Sequence, residues 1–289
     1  MERRVILRGA LAGFIAGLLG FAFARIFAEP YIDKAIAYED GRDAAITAVE
    51  KAAGYTVNLD GPTYFSRTIQ QNIGIATGIV VFSTAMGALI AVAYVVLHGR
   101  FRMRPRTLAL LIAGFGFMGV FMMPFVKYPA NPPSIGHSVT IAVRGRLYLA
   151  MVIGSLIFLV IGVLVARRFQ ARFGNFNSIL LGAAATLVLF CILMAVLPSL
   201  GHLSANEAQA GAVGYGRSAT ETPLPVKDFA GHIVYPGFPA DVLWKFRLYS
   251  VIEQLLLWGS IGLIFSSLVE RVVGTSSEPT RAAQVPASI

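Results

Sequence analysis

Leu108 to Pro133 reads LALLIAGFGFMGVFMMPFVKYPANPP, and the change of character near its end decides the fold. From Leu108 to Val126 there is no charged side chain, and at about 1.5 Å of helical rise per residue the run is long enough to cross about 30 Å of hydrocarbon. It then stops abruptly. Lys127, Tyr128, Ala130 and Asn131 are set among Pro129, Pro132 and Pro133, three prolines in five positions that fix φ and withdraw backbone donors, so the chain has to leave the helix and run extended. The polar side chains of this cap are held on a stiff turn at the rim of whatever the apolar runs build. Orienting a ligand or a neighbouring helix there costs little further entropy.

Five more apolar runs flank it, near 5–27, 73–97, 147–166, 179–197 and 249–269, which makes six candidate spans. The chain has 289 residues, 56% hydrophobic and only 13% charged, a mix that excludes a soluble domain with a polar surface. It predicts an all-α, polytopic membrane bundle, with one transmembrane domain over 1–272 and a flexible tail over 273–289. The net charge of +9 does not call for nucleic acid, because the arginines cluster beside spans: Arg3, Arg4 and Arg8, then Arg100 to Arg106, then Arg167, Arg168 and Arg172. The positive-inside rule sets those loops and both termini on the cytoplasmic side. Loops 28–72, 127–146 and 198–248 then lie outside. Cleavage after the small-residue site Ala22-Phe23-Ala24 would leave five spans; the four-residue spacing of Gly9, Gly13 and Gly17, a close-approach face for another helix, favours retention. A single cysteine, Cys191, allows neither an intrachain disulfide nor a cysteine metal cluster.

The outer loops hold most of the chemistry. Arg25 and Glu29 stand four residues apart, a spacing that lets them pair on one helical face. Pro30 restarts the chain, and an acidic helical pattern from Tyr31 to Ala53 ends at Gly54 in a C′ position. Ser66 is a candidate N-cap, followed by a polar collar of Arg67, Gln70, Gln71 and Asn72 before the second span, where Gly74 and Gly78 offer another small-residue face. Met118, Met122 and Met123 suit gap-filling better than metal ligation. The connection from Gly201 to Pro239 is too rich in Gly, Pro and Ser/Thr for a packed domain of its own, though Phe229, Tyr235 and Phe238 offer anchors. Phe238 to Arg247 reads as a short interfacial helix. Glu253, with Gln254 beside it, lies about one turn into the last span, where a carboxylate is costly unless it faces a partner or a wet cavity. A fixed pair with Arg144 or Arg146 explains it equally well.

These pieces resemble the CbtA family of proposed bacterial cobalt transporter subunits. The resemblance rests on Phe23-Ala24-Arg25-Ile26-Phe27-Ala28-Glu29-Pro30, the Arg67 to Asn72 collar, Lys127-Tyr128-Pro129-Ala130-Asn131-Pro132-Pro133, and Leu243-Trp244-Lys245-Phe246-Arg247-Leu248 with Gln254. The proline-rich cap is the most specific of them. The resemblance implies cobalt uptake linked to cobalamin biosynthesis, with a small single-span partner whose histidine-rich tail captures the metal. It would account for only four histidines in this chain. The family is usually described with five spans, one fewer than read here.

Cobalt(II) accepts imidazole nitrogen and carboxylate or carbonyl oxygen, and a transported ion has to bind loosely enough to leave. The residues offering those atoms on or near the outer side are Glu29, His137, His202, His232, Asp241 and Glu253. Lys127, Arg144 and Arg247 cannot ligate a cation; with Arg25, Arg67, Gln70 and Gln254 they are candidates for ion pairing or gating that hold or neutralise Glu29 or Glu253. Cobalt, or alternatively nickel, is expected as cargo and not as a resident cofactor. A homo-oligomer is compatible with the glycine faces. Neither a Walker-type lysine loop, HExxH nor Gly-x-Ser-x-Gly is present, so neither an ATPase nor a hydrolase is expected. A membrane scaffold that binds a partner through its rigid outer loops is the competing reading.

Overall fold

The computed structural model describes residues 2–54, 65–101, 103–133, 135–136, 138–207 and 221–274. Five helices dominate: α1 (Glu2–Ala52), α2 (Arg67–Leu97), α3 (Pro105–Lys127), α4 (Ile141–Val196) and α5 (Ala240–Gly274). All five carry a stretch long and apolar enough to cross a membrane. The expected runs at 147–166 and 179–197 both fall in α4, which folds at Gly174, where φ of 74° is open to glycine at little steric cost. Its two arms meet through small residues, and Thr186 Oγ1 on the second arm donates to Phe158 O on the first at 3.1 Å.

Three helices are wound loosely for about one turn, as π-helix at Ala24–Ala28, Gln70–Gly74 and Phe117–Met122. The first of these corrects the expectation that Pro30 restarts the chain. Pro30 stands in the first turn after the wide one, where its missing N–H is tolerated, and α1 continues to Ala52. Gly54 does sit just beyond that helix with φ of +83°. The Phe238–Arg247 segment is not a separate interfacial helix but the opening of α5, since no breaker follows it.

The chain forms two compact units. One comprises 1–22, 73–116 and 255–289. Within it the face of Gly9, Gly13 and Gly17 lies against Ser83, Gly87 and Ala91 of α2, close enough that an added Cβ would meet backbone. Gly74 and Gly78, expected to offer a similar face, are exposed and nothing lies within 4 Å of a Cβ added at Gly78. Tyr94 meets the Phe265 ring edge-on at 5.7 Å, and Arg8 Nη1 donates to Leu268 O at 2.8 Å.

The other unit comprises 23–72 and 117–254. Met123, Tyr128, Met151, Phe190 and Leu200 form one of its clusters, which places Met123 as packing. A second cluster joins Ala35 and Tyr38 of α1 to Ile135, Phe238 and Val242. The short antiparallel pair β1 (Val226–Lys227) and β2 (Ile233–Tyr235) leads into it. Tyr38 donates to Pro236 O at 2.9 Å, so Tyr235 and Phe238 do tie the connection down, whereas Phe229 is exposed.

Candidate functional site

Glu29 is the most deeply buried carboxylate on α1, 1% exposed, just after the wide turn. Its Oε1 is paired with Arg67 Nη2, and the same guanidinium reaches Asp33 Oδ1, from Nη2 at 2.9 Å and from Nε at 3.2 Å. One arginine thus bridges two carboxylates a turn apart on one helix. Glu29 Oε2 has no hydrogen-bond partner among the described residues. Arg25 does not pair with Glu29 as the four-residue spacing suggested; its Nε donates to Asn72 Oδ1 at 3.1 Å. The reason is local winding. With the Ala24–Ala28 turn opened to π geometry, residues 25 and 29 no longer stack as they would on an α-helix.

The collar is therefore the counterpart of the Arg25–Glu29 segment, with Arg67 and Asn72 supplying its polar partners. Gln70 turns away, donating to Phe65 O at 3.0 Å. Ser66 takes the N-cap position through its backbone carbonyl, which accepts from Ile69 and Gln70, and not through its side chain.

The cap is tied down at its start and at its middle. Lys127 Nζ donates to Met194 O at 2.8 Å and the Tyr128 hydroxyl to Pro198 O at 2.8 Å, fastening the end of α3 to the end of α4. Burial pushes the Tyr128 phenol above its ordinary range. Arg247 Nε reaches Ala130 O at 3.1 Å and its Nη2 reaches Asn131 Oδ1 at 2.8 Å, so α5 holds the middle of the Pro129–Pro133 turn. Lys127 and Arg247 accordingly hold the cap and not Glu29 or Glu253. Arg144 pairs with Glu221 at 3.3 Å, and Asn206 Nδ2 ties Glu221 Oε1 to Leu200 O, both at 2.7 Å. Sequence reasoning missed Glu221, which is fully buried with φ of 61°.

Glu253 is 9% exposed on α5, and Gln254 Nε2 donates to its Oε2 at 2.9 Å. His202 and His232 are exposed, with Glu207 at 3.7 Å and Asp228 at 3.2 Å, and Asp241 is exposed in the first turn of α5. His137 lies outside the described residues, as does the tail beyond Gly274. Among the described residues no group of three or more His, Cys, Asp or Glu side chains is placed to hold a metal ion. What the structure brings together is an arginine-bridged pair of carboxylates, not a metal cage.

Five helices long and apolar enough to cross a membrane fit a multi-pass membrane protein. The chain belongs to the family described as probable cobalt transporter subunit (CbtA), whose match runs over residues 2–270, nearly its whole length. No curated protein and no solved structure gives a significant match to it.

Proposed function

We infer that this subunit passes cobalt(II) across a bacterial inner membrane for cobalamin biosynthesis, taking the ion from a small histidine-rich single-span partner. Membership of the cobalt transporter family supports the cargo. The observation that carries the path is the Glu29–Arg67–Asp33 bridge. A guanidinium between two carboxylates occupies the place a cation would take, so Arg67 acts as the resident counter-ion of an empty site. An arriving divalent ion competes for Glu29, whose Oε2 is free of hydrogen bonds, while Asp33 keeps hold of the displaced arginine. Binding against a tethered competitor is weak enough to be reversed, which transport requires. Glu253 is the second carboxylate of the path, deeper in α5, with Gln254 as its hydrogen-bonding neighbour.

The test is cobalt accumulation, read by elemental mass spectrometry, in transport-deficient cells expressing this chain alone, the chain with its partner, or neither. Accumulation that needs the chain supports transport, and dependence on the partner assigns capture there. Glu29→Gln and Glu253→Gln are expected to cut accumulation at least tenfold at unchanged protein level. If the inserted pair changes neither cobalt nor nickel content, the scaffold reading replaces this one.

A further inference from the structure

On the unit formed by 23–72 and 117–254, two lysines without an acidic partner among the described residues gather on one aromatic ring. Phe23, Phe27 and Tyr31 follow one another along α1, and their rings gather on Tyr249 of α5 at centroid distances of 6.2, 5.9 and 5.5 Å. Tyr31 carries two ammonium groups, Lys34 Nζ at 5.0 Å from its centroid and Lys245 Nζ at 5.9 Å. Both lie within reach of cation–π attraction. A ring quadrupole, however, neutralises no charge. Neither lysine makes an ion pair with a described residue, and Asp241, one turn before Lys245, does not close on it.

Two exposed ammonium groups at one ring offer an anion two donors of the same sign. The setting says which kind. Tyr31 follows the first apolar run and Tyr249 opens the last, so the cluster lies where hydrocarbon gives way to headgroups. Apolar surface faces outward beside it: Phe27 is 43% exposed and Trp244 65%, and Leu248 and Ile252 continue the Trp244 face of α5 turn by turn. A free inorganic anion has no use for that surface, whereas acyl chains fit it. We propose that Lys34, Lys245 and Tyr31 form a headgroup site for an anionic phospholipid, its phosphate held by the two ammonium groups and its chains lying along the Trp244–Leu248–Ile252 face.

The experiment uses the full chain purified in a neutral detergent. Native mass spectrometry measures retention of phosphatidylglycerol and of phosphatidylcholine, and thermal unfolding is followed with each lipid and with inorganic phosphate. Phosphatidylglycerol is expected to be retained and to raise the midpoint, and phosphatidylcholine and inorganic phosphate to do neither. At roughly fivefold in affinity per basic group, Lys34→Gln or Lys245→Gln weakens retention about fivefold and the double variant about 25-fold. Lys34→Arg with Lys245→Arg keeps it, which separates lost charge from lost folding. Equal retention of the two lipids, or retention untouched in the glutamine variants, overturns the site. Displacement of the lipid by millimolar inorganic phosphate overturns the lipid in favour of a free anion.

Discussion

The two units are held together by different means. In the unit of 1–22, 73–116 and 255–289, helices meet through glycine, alanine and serine with aromatic rings filling in, as where Gly13 faces Ser83 and Tyr94 faces Phe265. In the unit of 23–72 and 117–254, contacts between elements repeatedly involve charge: Arg67 on buried Glu29 and exposed Asp33, Arg247 on the cap, Arg144 on buried Glu221. Close packing holds membrane helices without any desolvation cost, whereas each buried charge carries one. A chain able to build half of itself by packing did not need charge for cohesion in the other half. The proposed path, through Glu29 and Glu253, runs in the second of these units.

The largest effect is expected where small-residue packing brings α1 and α2 together. A Cβ at Gly87 would lie 2.8 Å from Gly13 Cα and from Gly13 N, and neither backbone atom can swing aside. Gly87→Leu should therefore abolish recovery of folded protein in detergent. Gly78→Leu, where no atom lies within 4 Å of the added Cβ, should leave the unfolding midpoint unchanged. Both positions lie in the first unit, so equal tolerance there would mean that close approach at Gly87 is not what holds its helices.

Next in size is the ionic bridge. Arg67→Met strands Glu29 in a buried position and should cost about 3–5 kcal/mol, while adding Glu29→Gln should return part of that loss. The double variant is expected to unfold at a higher temperature than Arg67→Met and still to accumulate no cobalt. Additive losses would mean that Arg67 and Glu29 do not act on each other, and the charged unit would lose its central pair.

How much of this was legible beforehand follows from which interactions are local. Hydropathy marks the long helices, because burial in lipid depends on each run by itself. The Gly9–Gly13–Gly17 face and the Gly54 helix end are equally local, set by spacing and by one permissive φ. Misreadings began where a partner had to be chosen. The Arg25–Glu29 spacing is right for an α-helix, but the π turn between them redirects Arg25 to Asn72 and leaves Glu29 to Arg67, 38 residues away in sequence. Gly74 and Gly78 have the same four-residue period as the Gly9 series, yet no described residue packs on Gly78; period says that close approach is allowed, not that it happens. Glu221 was invisible because a carboxylate in a polar, proline-rich connection looks solvated. Only the folded chain brings Asn206 and Arg144 to it.

A smaller effect sharpens the contrast inside the charged unit, between the candidate path and its frame. Arg247 makes two bonds from one planar group, to Ala130 O and Asn131 Oδ1, a geometry that lysine cannot reproduce. Arg247→Lys should cost about 1.5–3 kcal/mol in unfolding free energy, the value of one charge-assisted hydrogen bond, and leave cobalt affinity unchanged. A fall in affinity without a fall in stability would move Arg247 from the frame to the path.

The smallest effect concerns the turn joining β1 to β2. Asp228 accepts the backbone N–H groups of Ala230 and His232 at 2.9 and 2.8 Å, and Oδ2 lies 3.2 Å from His232 Nδ1. The His232 N–H leads among the causes that hold the Asp228 carboxyl below its ordinary range. A depressed carboxylate stabilises the folded turn fully above its unfolded value, and that contribution fades as pH falls through the folded value. Amide exchange at Ala230 and His232 should therefore rise over its neighbours only in acid, after correction for the intrinsic rate. Asp228→Asn should remove the acid dependence. His232→Ala, which deletes the ring but keeps the backbone donor, should preserve most of the protection and all of the cobalt accumulation. If it instead abolishes accumulation, the imidazole is a metal ligand, and an exposed histidine outside the buried bridge has to be added to the path.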